Sequence, residues 1–183
     1  MFKTIGTIYK ENVVPKRTEL FGVSNVYATP HIEKVVLNAR VKRGGNVGEE
    51  AILNTLERIT GQKPVTTKAR LSISNFKIRA GMVVGAKVTL RGKRANDFLD
   101  KLIHVTLPRV RDFSGLQTKS IDNNGNLSIG LEEHVVFPET ASDDMAHMHG
   151  LQICINTTAT NKKDAEALFR ALGFPFKKEE STK

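Results

Sequence analysis

MVVGAKVTLRG, Met82 to Gly92, reads as a β-strand with two unlike faces. Strand side chains alternate sides, so Val84, Ala86, Val88 and Leu90 fall together. Val83, Gly85, Lys87, Thr89 and Arg91 fall on the other side. An apolar face needs a cover, and helices supply one. A cationic face is left open for something negative. This strand alone therefore predicts a layered sheet with helices on one side.

The chain around it agrees. Upstream, HIEKVVLNARV (His31–Val41) is apolar and β-branched after Pro30, which predicts a strand. Ala51, Ile52, Leu56 and Ile59 keep helical spacing up to Gly61, a natural helix stop. PVTTKARLSISNF is β-branched and reads as extended, and FKIRAG reads as an exposed loop bounded by Gly81. Downstream, Ala95, Phe98, Leu99, Leu102 and Ile103 form the clearest helical stripe, with Pro108 at or just past its end. NNGN (Asn123–Asn126) predicts a hairpin turn between SID and LSIGL. HVVF and LQICINTTA read as further strands. Residues 3–14 predict a first helix before Pro15. A last helix opens at Asn161, carries Ala165, Leu168, Phe169 and Leu172, and closes at Gly173 and Pro175. KKEESTK reads as a frayed tail. Irregular alternation with hairpin turns predicts an α+β fold: a mainly antiparallel sheet with helices on one face, in one domain over residues 1–183.

The charge is as uneven as the strand. Gly61 to Arg94 holds Lys63, Lys68, Arg70, Lys77, Arg79, Lys87, Arg91, Lys93 and Arg94 without one Asp or Glu. Residues 61–120 carry thirteen Lys/Arg against three acids, whereas residues 121–183 carry six against ten. The net charge of +9 is thus concentrated in the middle third. That asymmetry points to a polyanion held by one region. No apolar run approaches the ~20 residues of a membrane span. The N-terminal residues show no signal-peptide pattern. A lone cysteine, Cys154, forms no internal disulfide, and the chain reads as cytoplasmic.

Catalytic patterns fail one by one. There is no G-x-S-x-G elbow and no Cys-His partnership, and Cys154 reads as a small core residue. GGNVG (Gly44–Gly48) lacks the Lys-Ser/Thr of a phosphate loop, and Glu49 and Glu50 would repel an anion there. Asp143, Asp144, His147 and His149 offer the one conceivable metal set, the basis of a rival phosphoesterase reading. Their spacing is weakly specific. The expectation is no enzyme and no cofactor.

Nucleic acid remains. There is no Cys/His finger, no basic zipper and no aromatic RNA-recognition signature, and Phe76 is the only aromatic residue in the basic stretch. Binding should rest on phosphates, sugar hydroxyls and groove shape, which suits folded RNA better than DNA. A chaperone that binds RNA by charge alone is a second rival.

IEKVVLN (Ile32–Asn38), TGQKPVTTKAR (Thr60–Arg70), KVTLRG (Lys87–Gly92), LPRVRDFSGL (Leu107–Leu116), GNLSIGLEE (Gly125–Glu133) and ALGFPF (Ala171–Phe176) resemble, in order, the bacterial-type large-subunit ribosomal protein L five family. The likeness runs from about Tyr9 to Lys177. It implies a structural protein of the large subunit that attaches 5S ribosomal RNA in the central protuberance. It implies that Asn38, Gln62 and Thr89 hydrogen-bond that RNA, with Lys63, Lys68, Arg70, Lys87 and Arg91 neutralising phosphates around them. It further implies a protruding loop, Ser74, Asn75, Phe76, Lys77, Ile78, Arg79, Ala80, Gly81 and Met82, that reaches transfer RNA in the peptidyl site. Large-subunit ribosomal RNA and neighbouring ribosomal proteins, one of them in the small-subunit head, complete the expected partners. The chain departs from the family pattern at ARVKRGGNVG, at Asn75, where Gly is usual, and at AGMVVG.

Overall fold

The computed structural model describes residues 3–41, 48–143 and 148–177. Helix α1 (Ile5–Ile8) runs on into a π-helical turn, Tyr9–Val13, and α2 spans Arg17–Phe21. Strand β1 (Ile32–Arg40), α3 (Glu49–Thr60), β2 (Val65–Lys68) and β3 (Val83–Arg91) follow. Then come α4 (Gly92–Lys101), a π-helical turn Leu102–Thr106, α5 (Leu107–Arg109), β4 (Leu127–Leu131), β5 (Leu151–Thr157) and α6 (Lys162–Ala171). The five strands form an antiparallel sheet in the order β2-β3-β1-β5-β4. This is the expected α+β class.

The residues group into two compact units. The first comprises 1–35, 91–129 and 154–183; its core includes Ile5, Phe98, Leu99, Leu102, Leu127, Ile155, Leu168 and Phe169. The second comprises 36–90 and 130–153; its core includes Leu37, Ala39, Ile52, Leu56, Ile59, Val88, Leu90, Phe137 and Ile153. The helical stripes read from sequence are the buried ones: Ile52, Leu56 and Ile59 on α3, and Ala165, Leu168 and Phe169 on α6. Burying a Leu or Ile side chain of this kind contributes about 1.5–3 kcal/mol.

Two expectations are corrected. HVVF is not a strand: His134–Val136 is a 3-10 turn. The amide of Phe137 and the hydroxyl of Thr140 both donate to the His134 carbonyl, at 3.1 and 2.7 Å. With that acceptor used locally and Pro138 lacking an N–H, a ladder cannot propagate. Cys154 is not in the core. It is half-buried, between buried Ile153 and Ile155, with its sulfur 3.7 Å from the Ser128 hydroxyl. Strand alternation turns it to the side opposite those isoleucines. Asn161 does precede α6, but its side chain makes no capping bond; its carbonyl accepts the amide of Ala165 at 3.1 Å.

Candidate nucleic-acid interface

Within the second unit, β1 alternates as its sequence requires. Leu37 and Ala39 are buried, and Asn38 between them is exposed. On β3, Ala86, Val88 and Leu90 are buried, Lys87 is exposed and Thr89 half-buried. Asn38 therefore stands inside a strand, as the His31–Val41 reading expects. Gly85 explains how closely β1 and β3 approach. A Cβ there would lie 2.7 Å from the Ala39 carbonyl oxygen and 3.1 Å from the Thr67 hydroxyl. Only glycine fits without displacing backbone.

Gln62 arrives from α3. The helix ends on Gly61 at φ +64°, a left-handed cap whose amide bonds the Glu57 carbonyl at 2.7 Å. The Thr60 hydroxyl donates to the Leu56 carbonyl at 2.7 Å and fixes the exit. Gln62 then lies where its Nε2 donates to the Thr89 carbonyl across 3.2 Å. Lys63 is exposed beside it and Pro64 is buried.

Strand β2 runs antiparallel to β3, with Val65 opposite Lys87 and Thr67 opposite Gly85. It is short, at the edge, and irregular between Thr67 and Lys68, as edge strands in monomeric proteins tend to be. Lys68 and Arg70 are exposed at its end.

Beyond Arg70 the chain is not a simple loop but a closed excursion. The Ala69 amide bonds Met82 O at 2.8 Å, and the Gly81 amide bonds Ala69 O at 2.9 Å. Ile73 and Ile78 exchange amide-carbonyl bonds of 2.9 and 3.1 Å. Ser74–Phe76 makes a 3-10 turn that ends on Lys77 at φ +53°. The Ala80 amide bonds the Ser72 hydroxyl at 2.9 Å, and the Arg79 amide faces the Met82 sulfur at 3.3 Å. Phe76 is 66% exposed and Leu71 74%, and Ile73 is exposed too. The finger thus holds three apolar side chains in solvent on an ordered, hydrogen-bonded turn. The sequence reading missed Leu71, Ile73 and Gly85. The two isoleucines flanking the S-N-F-K turn symmetrically were the available signal for the finger.

Electrostatics favour an anion. Lys63, Lys68, Arg70, Lys77, Arg79 and Lys87 make no ion pair among the described residues. Arg91 differs: its guanidinium meets Glu33 at 3.1 Å. That hydrogen bond, helped by Lys34, holds the Glu33 carboxyl below the usual carboxylate range. Arg91 is thus partly neutralised at home.

The candidate metal set does not assemble among the described residues, where no group of three or more His, Cys, Asp or Glu is placed to hold an ion. Asp144 and His147 lie outside the described residues, as do Gly44–Val47 of the glycine run and most of the C-terminal tail. Asp143 accepts from Arg58 at 2.8 Å and faces His134 Nε2 at 3.5 Å. The His134 ring stacks on His149 with centroids 4.2 Å apart. No helix among the described residues is long and apolar enough to cross a membrane.

Comparison with known proteins adds sequence kinship to this geometry. Residues 25–79 match the family described as "Ribosomal protein L5", and residues 83–176 match the model of the same ribosomal family's C-terminus. Proteins named "Large ribosomal subunit protein uL5" are similar over nearly their whole length. That of Natranaerobius thermophilus is 49% identical, covering 92% of this chain and 95% of the relative. That of Halothermothrix orenii is 47% identical, with the same shares covered. That of Streptococcus pyogenes is 47% identical, covering 93% and 96%.

Proposed function

The chain belongs to the ribosomal protein L5 family, and on that premise we propose that its second unit binds 5S ribosomal RNA through Asn38, Gln62 and Thr89. Family membership itself makes it a non-catalytic structural protein of the large ribosomal subunit, working on the ribosome in the cytoplasm. The proposal is the finer step: which RNA, and by which residues.

The observation that carries it is a contrast of faces. β1 and β3 bury Leu37, Ala39, Ala86, Val88 and Leu90 while turning Asn38, Lys87 and Thr89 the other way. Neutral amides and hydroxyls bond 2′-hydroxyls and phosphate oxygens at small desolvation cost once paired. Lys63, Lys68, Arg70 and Lys87 surround them with unpaired cations. Arg91, already bound to Glu33, contributes less. The finger from Ser74 to Met82 takes the peptidyl-site transfer RNA, with Lys77 and Arg79 on phosphates and Phe76 at the contact. Large-subunit ribosomal RNA and neighbouring ribosomal proteins, including one of the small-subunit head, are the remaining partners. All of this operates from one domain.

The test is binding to 5S RNA beside an unrelated folded RNA of similar size, from low to high salt. Contact with ~6 phosphates alone gives a log–log slope near −4 to −5 for both RNAs. The expected result is 5S binding that survives salt sufficient to strip the competitor. Lys68→Ala lowers affinity for both RNAs and flattens the slope by about one. Simultaneous loss of both RNAs for the unsubstituted protein would leave only the charge-driven chaperone reading.

A further inference from the structure

Arg40 is a cation of the second unit that the interface described above leaves out. It closes β1, is exposed, and makes no ion pair and no side-chain hydrogen bond among the described residues. Alternation puts it on the open side of the strand with Asn38, away from buried Leu37 and Ala39. The Val41 amide bonds the Val84 carbonyl at 3.0 Å, so β1 is held against β3 up to this point. Arg40 belongs to ARVKRGGNVG, where the chain departs from the family pattern, so the family's contacts do not account for it.

Gly85 decides what stands beside Arg40. Strands two places apart in a sheet are ordinarily about 9–10 Å apart, too far for β1 to meet β2 across β3. Gly85 has no side chain to hold them off. A Cβ there would lie 3.6 Å from the Arg40 Cα, on the β1 side, and 3.1 Å from the Thr67 hydroxyl, on the β2 side. Both neighbours close over the glycine, which is why Gly85 is buried although it shares the side of Lys87 and Thr89. Thr67 is half-buried, and its hydroxyl has no hydrogen-bond partner among the described residues. Unlike the Thr29 and Thr106 hydroxyls, it is not sealed from solvent. Lys87, next on that side of β3, and Lys68, next along β2, are both exposed.

We infer that Arg40 and the Thr67 hydroxyl together hold one phosphodiester of the bound RNA, a contact additional to Asn38, Gln62 and Thr89. A guanidinium presents two parallel N–H donors that match two phosphate oxygens, and a hydroxyl beside it donates to an oxygen of the same group. The sheet fixes Thr67, and the missing side chain of Gly85 brings it to the arginine. A single carboxylate would satisfy an isolated arginine as well. Lys68, Arg70 and Lys87 continue the positive charge with no acid among them, and that extent fits a repeating anion. The contact carries the interface along β1 past Asn38 toward the base of the finger, where the Ala69 amide bonds the Met82 carbonyl. The inference rests on the reading that the second unit binds RNA, and it names a phosphate site within it.

The experiment uses the full chain and 5S RNA carrying random phosphorothioates, cleaved by iodine with and without protein, so that each covered phosphate is read individually. The expected result is that Arg40→Ala uncovers a local group of phosphates and leaves the rest protected. Its log–log salt slope flattens by about 0.9, and affinity near 0.1 M salt falls roughly tenfold. Arg40→Lys keeps the slope but loses about threefold in affinity, because an ammonium cannot form the fork. Thr67→Val weakens the unsubstituted chain yet costs nothing further once Arg40 is Ala, since both residues hold one group. Arg40 is exposed and unpaired, and Val keeps the shape of Thr, so these variants keep the fold. Unchanged protection in Arg40→Ala overturns the inference and leaves Arg40 to an acidic protein segment. Weakened protection spread evenly over the RNA overturns it too, because Arg40 then acts only through general charge. Equal affinity of the unsubstituted chain for 5S and an unrelated folded RNA sinks the 5S proposal instead, and a local loss of protection on either RNA still supports the phosphate site.

Discussion

The side-chain amide of Gln62 donates to the backbone carbonyl of Thr89 across 3.2 Å, tying the exit of α3 to the C-terminal part of β3. The bond joins two of the three residues proposed to bind 5S RNA, yet it uses the backbone of one and the side chain of the other. The two substitutions therefore have different consequences. Thr89→Ala keeps the carbonyl, so it weakens 5S binding by about 1–3 kcal/mol while leaving stability nearly unchanged. Gln62→Ala loses the proposed RNA contact and the intramolecular bond, with about 0.5–1.5 kcal/mol of added instability. Urea midpoints and 5S dissociation constants on the same preparations separate the two. Identical stability for both variants would mean that the Gln62–Thr89 bond contributes nothing.

Gly85 controls the spacing of the two strands that carry Asn38 and Thr89. In Gly85→Ala the new methyl meets the Ala39 carbonyl at 2.7 Å, so backbone must move. The expected cost is roughly 1–3 kcal/mol in stability, with a parallel loss of 5S affinity. Thermal unfolding and RNA binding check it. Unchanged amide chemical shifts at Asn38 and Ala39 would contradict the crowding argument.

Phe76 and Arg79 sit on a finger that buries little, so substituting them should spare the fold. Phe76→Ala and Arg79→Ala change stability by no more than about 0.5 kcal/mol and leave 5S binding intact. On ribosomes carrying the variants, protection of the transfer RNA elbow in the peptidyl site is reduced. Full protection in a double variant would remove the finger from the transfer RNA contact.

Asp143 makes stability depend on pH. Its hydrogen bond from Arg58 holds the carboxyl below the usual carboxylate range, with His134 adding to the effect. A carboxyl whose pKa is lower folded than unfolded stabilises the native state above its unfolded pKa. That contribution is lost as pH falls through the folded pKa. The native chain should lose stability on acidification below about pH 4, where unfolded carboxyls titrate. Asp143→Asn should be less stable near neutral pH and show a shallower acid limb. Equal slopes of unfolding free energy against pH in the two proteins would refute the assignment.

Periodicity and charge placement were legible without coordinates. Alternation from Ala86 to Arg91 identified the buried and open sides of β3, because a strand reverses sides at each residue whatever it packs against, whereas Val84 is only half-buried and Gly85, expected on the open side, is buried. The helical stripes at Ile52, Leu56 and Ile59, and at Ala165, Leu168 and Phe169, followed from the same kind of local rule. The run of nine Lys and Arg without an Asp or Glu between Gly61 and Arg94 was equally plain. HVVF misled because its apolar run is consistent with a strand, while the bonds of Thr140 and Phe137 to one carbonyl make a turn. Only tertiary structure could decide that Gln62 reaches Thr89, 27 residues away, or that Gly85 is pressed against Ala39. It also decided that Arg91 is held by Glu33, and that Arg40 and Thr67 close over Gly85. The physical reason is range. Backbone alternation and helix pitch act between near neighbours in the chain, and a sequence displays them directly. Pairings across strands and between a helix end and a strand depend on where distant segments meet, which no local pattern encodes.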